Sequence, residues 1–357
     1  MRSPWLLLWA ALLAIASGAL RAAPLHELAA ARGLAFGTAV SARALAGDAT
    51  YREVLAREFS LVTAENELKW AATQPAEGRF EFAAADRILA FATEHKMQIR
   101  GHTLCWNADR YLPKWILARE FTGAQAETLL REHIRTVVGR YRGRIKYWDV
   151  VNEAVANDKR TAAAPLFDGF WSQHLGEDYI ALAFRFAHEA DPDAVLFYND
   201  YDQGDALGIK SDRIYALLKR LLAAGVPVQG VGLQLHCNLR DPPQREAVRA
   251  NLARLGALGL RVHITELDVD IAGAPGTLEE RLRRQAEVYR DVVTAAVTSR
   301  VCEAIVTWGF TDRFIQRGLN LRHKLPENTP TPLWLFDADY KPKPAYAAVA
   351  TALAAGR

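Results

Sequence analysis

The sequence predicts a single α/β domain of the (β/α)8 barrel, or TIM barrel, class. Eight short apolar runs rich in β-branched residues alternate with amphipathic stretches that have helical spacing. Several of these runs end in polar residues, and barrel enzymes carry their functional groups at the carboxyl ends of the strands. The eight strands are predicted at 34–37, 61–64, 98–101, 147–151, 195–198, 231–235, 262–265 and 305–307.

The intervening stretches carry apolar residues at helical spacing and complete the alternation of strand and helix. No Ser/Gly/Pro-rich linker divides the chain, and barrels commonly exceed the usual 100–200 residues of a domain. We therefore expect residues 24–357 to form one barrel. Its helices are predicted at 82–96, 123–140, 179–190, 210–224, 244–258 and 278–299.

The N-terminus has the pattern of a secretory signal peptide. Arg2 precedes an apolar run from Trp5 to about Ala16, and small residues are frequent over 17–23. That run is shorter than the roughly 20 residues that a transmembrane helix needs. We expect a signal peptide at 1–23, cleaved between Ala19 and Ala23, and a mature chain that is periplasmic or extracellular with no membrane span.

The composition narrows the class of function. Half of the residues are hydrophobic and the net charge is only +3, which fits a globular enzyme and not a disordered chain. No Lys/Arg block is interleaved with aromatic residues, so a nucleic-acid partner is not expected. Cys105, Cys237 and Cys302 lack metal-ligand spacing, and we expect them to be unpaired, with no metal or cofactor.

Two of the predicted strands end in a glutamate. The run from Tyr147 to Val151 is followed by Asn152 and Glu153, which alone fit a helix cap as well as a catalytic site. The run that begins at Val262 leads to Glu266. Retaining glycoside hydrolysis uses one protonated carboxyl and one carboxylate held about 5 to 5.5 Å apart, a separation that strands of one barrel can supply.

Six segments occur in an order that resembles glycoside hydrolase family 10, the endo-β-1,4-xylanases. No single segment is specific, but together they extend over nearly the whole mature chain. The resemblance implies a xylan or xylooligosaccharide substrate. We expect no cofactor and a monomeric protein. The segments are Glu65–Trp70, Gly101–Trp106, the strand that ends at Asn152–Glu153, Gln234–His236, Thr265–Asp268 and Thr307–Gly309.

The resemblance assigns roles at the two glutamates. Glu153 matches the general acid and base, and Glu266 matches the nucleophile. Asn152 matches an asparagine that binds the 2-hydroxyl of the sugar under attack. His236 matches the histidine that contacts the nucleophile, and Asp268 the acid that orients its ring.

The resemblance also assigns substrate-binding residues. Sugars present vicinal hydroxyls to polar side chains and a weakly polar C–H face to indole rings, so these residue types suit the task. Without the other segments, the charges over 65–69 would be interpreted as a solvated run. The implied substrate-binding residues are Glu65, Asn66, Lys69, His102, Trp106, Gln234 and Trp308.

Two segments depart from the family pattern. Asn107–Ala108–Asp109 stand where the family usually has His-Ser-Gln, and Ile315–Gln316 stand where it usually has Ser-Trp. We expect retained hydrolysis with an altered grip on the glycone.

Three alternatives remain open on sequence alone. A retaining β-1,4-glucanase or an exo-acting relative would use the same glutamates, and a weakly catalytic xylan-binding protein would fit the two departures. A barrel metallohydrolase using His102 and His236 is a third alternative, although such zinc sites need several His or Cys ligands that converge on one ion.

Overall fold

Eight parallel strands close into a barrel in this computed structural model, which describes residues 23–157, 166–201, 208–314 and 332–355. Strand β1 pairs with both β2 and β9, and β6 pairs with β8, which completes the ring. The short β7 pairs with β8 beyond the end of β6. The predicted fold class is confirmed. The strands are β1 Ala35–Val40, β2 Leu61–Ala64, β3 Gln98–Trp106, β4 Tyr147–Asn152, β5 Val195–Asp200, β6 Gly230–Leu233, β7 His236–Asn238, β8 Arg261–Asp270 and β9 Cys302–Thr307.

Helices cover the outside of the barrel, and the six predicted ones are present with ends shifted by no more than two residues. Two of them begin at capping boxes, in which Thr122 pairs with Gln125 and Thr277 pairs with Glu280. The helices are Leu25–Ala30, Ala42–Gly47, Ala49–Glu58, Trp70–Thr73, Ala83–Glu94, Lys114–Leu117, Gly123–Arg140, Phe170–Leu175, Asp178–Ala190, Ile209–Ala223, Arg245–Gly256, Leu278–Ser299 and Pro344–Ala355.

The sixth predicted strand, 231–235, is wrong at its carboxyl end. Strand β6 stops at Leu233, and Leu235 has a left-handed backbone with φ +54° that interrupts the extended chain before β7. Gln234 and His236 flank this left-handed residue and do not belong to one continuous strand. The turn at Leu235 directs both side chains into the same cleft.

The N-terminal prediction falls largely outside the described residues, because 1–22 are not among them. Within the described ranges, no helix is both long and apolar enough to cross a bilayer. Cys105, Cys237 and Cys302 are buried, and no disulfide joins them in this part of the chain.

The barrel interior contains a buried ion pair among aromatic and small side chains. The Arg100 guanidinium binds the Asp149 carboxylate through two nitrogens, and it lies 4.4 Å from the centroid of the Phe197 ring. Both charged side chains are essentially inaccessible to water. A buried charge that lost its partner would be strongly unfavourable, so this pair fixes how β3 and β4 meet.

Gly101, which follows Arg100 on β3, provides a test of the packing. A Cβ atom there would lie 2.2 Å from Cε3 of the fully buried Trp148, so we expect Gly101→Ala to lower the free energy of unfolding by about 1–3 kcal/mol. Gly139 lies in a helix with no atom within 4 Å of such a Cβ, and Gly139→Ala should stabilise by about 0.5–1 kcal/mol. Denaturant unfolding measures both changes, and the same sign for the two variants would contradict the packing.

Candidate active site

A cleft of about 580 Å³ lies at the carboxyl ends of the barrel strands. Every predicted site residue except Glu65 and Asn152 lines it. Asn152 lies buried beside Gln234, and Glu65 accepts a hydrogen bond from Asn66. The structure thus brings together side chains from six segments that are far apart in the sequence. The predicted residues that line the cleft are Asn66, Lys69, His102, Trp106, Glu153, Gln234, His236, Glu266, Asp268 and Trp308.

Glu153 directly follows β4 and turns its carboxyl group into the cleft. Its backbone is left-handed, with φ +53°, and its N–H donates to the Asn199 carbonyl at 2.8 Å. Gln234 Nε2 donates to one carboxyl oxygen at 3.0 Å and Trp106 Nε1 donates to the other at 3.2 Å. Burial raises the pKa of Glu153, and the nearby carboxylates of Asp200 and Glu266 act in the same direction. Glu153 is therefore suited to hold a proton.

Glu266 lies within β8, and its carboxyl group is buried at the floor of the cleft. Asn199 Nδ2 donates to Oε1 at 2.8 Å, and His236 Nε2 contacts Oε2 at 3.0 Å. Burial alone would raise its pKa, but the His236 hydrogen bond and the charge of His102 outweigh it, so the pKa of Glu266 lies below its usual value. Glu266 is therefore suited to remain a carboxylate.

His236 is placed between two carboxylates. Its Nδ1 lies 2.9 Å from Asp268 Oδ2, while its Nε2 faces Glu266. Burial lowers the pKa of the ring, but the Asp268 and Glu266 carboxylates outweigh that effect and raise it well above its usual value. A protonated ring donates from both nitrogens, so Asp268 fixes the ring and the ring fixes the Glu266 rotamer.

Asn199 connects the two strand ends that carry the glutamates. Its Nδ2 donates to Asn152 Oδ1 at 2.8 Å as well as to Glu266, and its Oδ1 accepts from Thr265 at 2.7 Å. Asn152 Nδ2 is buried and has no hydrogen-bond partner within the described residues. A buried donor without a partner is costly, and a ligand hydroxyl would satisfy it.

Aromatic faces and an ammonium group form another part of the wall. Lys69 Nζ lies 5.5 Å from the Trp106 ring centroid and 5.8 Å from that of Trp308, and it donates to Asn66 Oδ1 at 2.9 Å. Tyr111 stacks on Trp106 with centroids 3.5 Å apart. Burial lowers the pKa of Lys69, although the carboxylates of Glu266, Glu65 and Glu153 oppose the shift. The combination suits a ligand with hydroxyl groups and C–H faces.

His102 connects the cleft to the buried ion pair below it. Its Nδ1 lies 3.0 Å from Asp149 Oδ2, and its ring meets Trp308 edge-on at a centroid distance of 5.2 Å. His102 and His236 are thus each engaged by a carboxylate. In the described ranges, no group of three or more His, Cys, Asp or Glu side chains is arranged to hold a metal ion.

The first departure from the family pattern has a structural role. Asn107 is buried and hydrogen-bonds Phe167, Trp171 and Ser172, and Asp109 Oδ1 accepts from the Phe170 N–H at 2.9 Å. These bonds fasten the loop after β3 to the chain that follows β4. The second departure, Ile315–Gln316, lies outside the described residues.

Several cleft residues were not predicted from the sequence. Tyr111 lies five residues beyond Trp106, so proximity to a predicted site segment was an available signal for it. Tyr201 follows β5, where no site segment was predicted, and its position after a predicted strand was the available signal. Trp334 gave no such signal, because it lies far beyond the last site segment, and it adds a second indole beside Trp308. The lining residues missed by the sequence analysis are Arg110, Tyr111, Tyr201, Cys237, Asn238, Arg240, Asp270, Leu333 and Trp334.

Comparisons with known proteins agree on one family. The model of glycosyl hydrolase family 10 matches residues 24–352. Endo-1,4-beta-xylanase B of Thermotoga neapolitana is 36% identical over 306 residues, which are 84% of this chain and 82% of that protein. Native xylanase 10B from Thermotoga maritima has 38% identity and a TM-score of 0.84, covering 92% of this chain and 98% of that one. Xylanase 10B from Thermotoga petrophila, solved with xylobiose, has 36% identity and a TM-score of 0.85, and the match covers 94% of this chain and 98% of that one.

Removal of the His236 ring should raise the pKa of Glu266. Loss of the hydrogen bond and of the positive charge leaves burial as the dominant effect, so we expect His236→Ala to raise this pKa by at least about 1 unit. ¹³C-NMR titration of the labelled glutamate carboxyl measures the change. His188→Ala, which removes an exposed ring from a helix, is the control. Equal Glu266 titration in the two variants would contradict the assigned contact.

Proposed function

The chain belongs to glycosyl hydrolase family 10, and on that basis we propose that it is an endo-1,4-β-xylanase that hydrolyses internal xylosidic bonds with retention of configuration. The observation that carries the proposal is that two glutamates line one cleft in unlike surroundings: Glu266 contacts the His236 ring and the Asn199 amide, whereas the side chains that donate to Glu153 are the neutral Gln234 and Trp106. A retaining glycosidase needs one proton donor and one ionised nucleophile. The names of the relatives support xylan as the polymer.

In the first step, the Glu266 carboxylate attacks the anomeric carbon as the bond to the leaving oxygen breaks. Glu153 donates its proton to that oxygen, so the aglycone departs as a neutral alcohol. Hydrogen bonds from His236 and Asn199 hold the Glu266 carboxylate in one rotamer during the attack. The unsatisfied Asn152 Nδ2 is available to the 2-hydroxyl, and that bond strengthens in the transition state.

In the second step, the roles of the two carboxyls reverse. The ester at Glu266 has no charge, so the electrostatic reason for Glu153 to retain a proton is weaker. Glu153, now ionised, takes a proton from a water molecule, whose oxygen attacks the anomeric carbon as the bond to Glu266 breaks. Both glutamates return to their starting states, and two inversions give net retention.

Export is part of the proposal. The pattern of residues 1–23 supports a secretory signal that is removed, which leaves a catalytic domain at 24–357 that acts in the periplasm or outside the cell. Xylan is a polymer outside the cell, so such a location fits the proposed substrate. An N-terminus beginning between Leu20 and Pro24 in the protein isolated from its native host would support this step.

Substitution of each glutamate separates the two roles. Glu266→Ala should reduce xylan hydrolysis by at least about 10³-fold, because no nucleophile remains. Glu153→Ala should lose about 10²- to 10⁴-fold on xylan. On the 2,4-dinitrophenyl xylobioside, whose leaving group needs no proton, azide should restore turnover of this variant by attacking the glycosyl-enzyme without base catalysis. NMR of the glycosyl azide formed in the initial phase of the reaction should show the β-anomer. An inverted product would contradict retention.

The polymer is tested by comparing turnover on linear xylan and on a soluble cellulose derivative. We expect kcat/KM to favour xylan by at least about tenfold, since an additional hydroxymethyl group per residue must fit a cleft lined by Trp308 and Trp334. Higher turnover on the glucan would favour the glucanase alternative. Xylooligosaccharide binding with no release of reducing ends would favour a binding protein.

A further inference from the structure

A second buried carboxylate lies behind Glu153, at the end of β5. Asp200 is inaccessible to water, and four donors converge on its two oxygens: the Tyr198 hydroxyl, the Val155 N–H at 3.3 Å, the Tyr201 N–H at 2.8 Å and Lys210 Nζ at 2.9 Å. Burial raises the pKa of Asp200, and Lys210 is the strongest opposing influence. The four donors match a carboxylate, which only accepts hydrogen bonds.

Lys210 is the cation of this pair and is itself almost completely buried. It is the second residue of the helix Ile209–Ala223, and its Nζ also donates to Asn157 Oδ1 at 2.9 Å and lies 3.4 Å from the Tyr201 ring centroid. The Asn157 amide in turn donates to the Tyr201 hydroxyl. Three neighbours therefore surround one ammonium group, which compensates for its removal from water.

The ion pair fixes the chain immediately after Glu153. Asp200 binds the backbone of Val155 and Lys210 binds the side chain of Asn157, so the segment 154–157 is attached to both members of the pair. On its other side, the Glu153 N–H is bound to the Asn199 carbonyl. The unusual left-handed backbone at Glu153 is thus held from both directions.

We propose that the Asp200–Lys210 ion pair is a positioning device for Glu153, one that holds the segment after this residue and balances the charge around its exchangeable proton. The inference rests on the proposed function, because it assigns the pair to the acid and base of that reaction. Asp200 favours the protonated form of Glu153, and Lys210 favours the ionised form. Neither member lines the cleft.

Other charged groups also act on this region. Glu266 from β8 and Lys69 from the loop after β2 interact electrostatically with Glu153, and His236 and His102 act on it through Glu266. Tyr198 from β5, Tyr201 directly after β5 and Tyr179 from the helix Asp178–Ala190 are titratable groups beside the ion pair. All of these remain when the ion pair is changed, so a shift in pH dependence reports the pair itself.

The test compares two single variants with opposite expected effects. Lys210→Met leaves the Asp200 charge uncompensated. The alkaline limb of the pH profile of kcat/KM should therefore move to higher pH by about 0.5–1 unit. Asp200→Asn leaves the Lys210 ammonium uncompensated, so the alkaline limb should move to lower pH by about the same amount. The double variant should return close to the wild-type position. Phenyl β-xylobioside is the substrate, because its poor leaving group requires the proton of Glu153.

Two controls and one replacement variant make the outcome decisive. Lys219→Met removes an exposed charge from the same helix and should leave the limb in place. The 2,4-dinitrophenyl glycoside, whose leaving group needs no proton, should show no such limb shift in any variant. If Lys210→Met does not fold, Lys210→Gln, which retains a donor but lacks the charge, replaces it.

Opposite shifts with compensation in the double variant support the inference. Shifts in the same direction, or a fall in kcat with no movement of the limb, overturn it, because a purely structural role predicts loss without a sign change. Wild-type protein that hydrolyses neither aryl xylobioside would instead contradict the proposed function. An active wild type with immobile limbs contradicts only the role of the ion pair.

Discussion

Two largely buried carboxyl groups that face one cleft cannot both carry a charge without strong compensation, and most of the site follows from that constraint. At Glu266, the compensation comes from the His236 ring, which Asp268 holds in place, and from the Asn199 amide. At Glu153, the surroundings offer two neutral donors and nearby negative charges. The asymmetry of the neighbours, and not of the two glutamates themselves, separates their chemistry.

The same logic extends below the cleft. Arg100 with Asp149 inside the barrel and Lys210 with Asp200 behind the acid are both buried pairs of opposite charge. Buried ion pairs contribute little net stability compared with apolar packing, but breaking one is costly, so they specify geometry more than they add free energy. Asp149 contacts His102, and Asp200 binds the backbone after Glu153, so each pair fixes a different part of the cleft wall.

The barrel could be predicted because its signals are local. Apolar β-rich runs and apolar residues at helical spacing define strands and helices without knowledge of the partner elements. Each glutamate follows a predicted strand, although β8 continues past Glu266 to Asp270. The break at Leu235 could not be predicted, since a left-handed leucine is imposed by the surrounding structure. Lys210 also gave no signal: it belongs to a predicted amphipathic helix, and its burial depends on a carboxylate ten residues earlier in the chain. Trp334 is similar, because its place beside the cleft depends on how the chain returns after β9.

The hydrogen bonds of Asn107 and Asp109 bear on how such a cleft can be redesigned. They attach the loop after β3 to the first turn of the helix that follows Phe167, so these two loops behave as one module. A graft that imported only the loop after β3 from a relative would leave the Phe170 and Trp171 amides without their acceptors. Transfer of both loops together would preserve these hydrogen bonds. Recombination breakpoints for altering this part of the cleft wall therefore belong before β3 and after Leu175, and not between them.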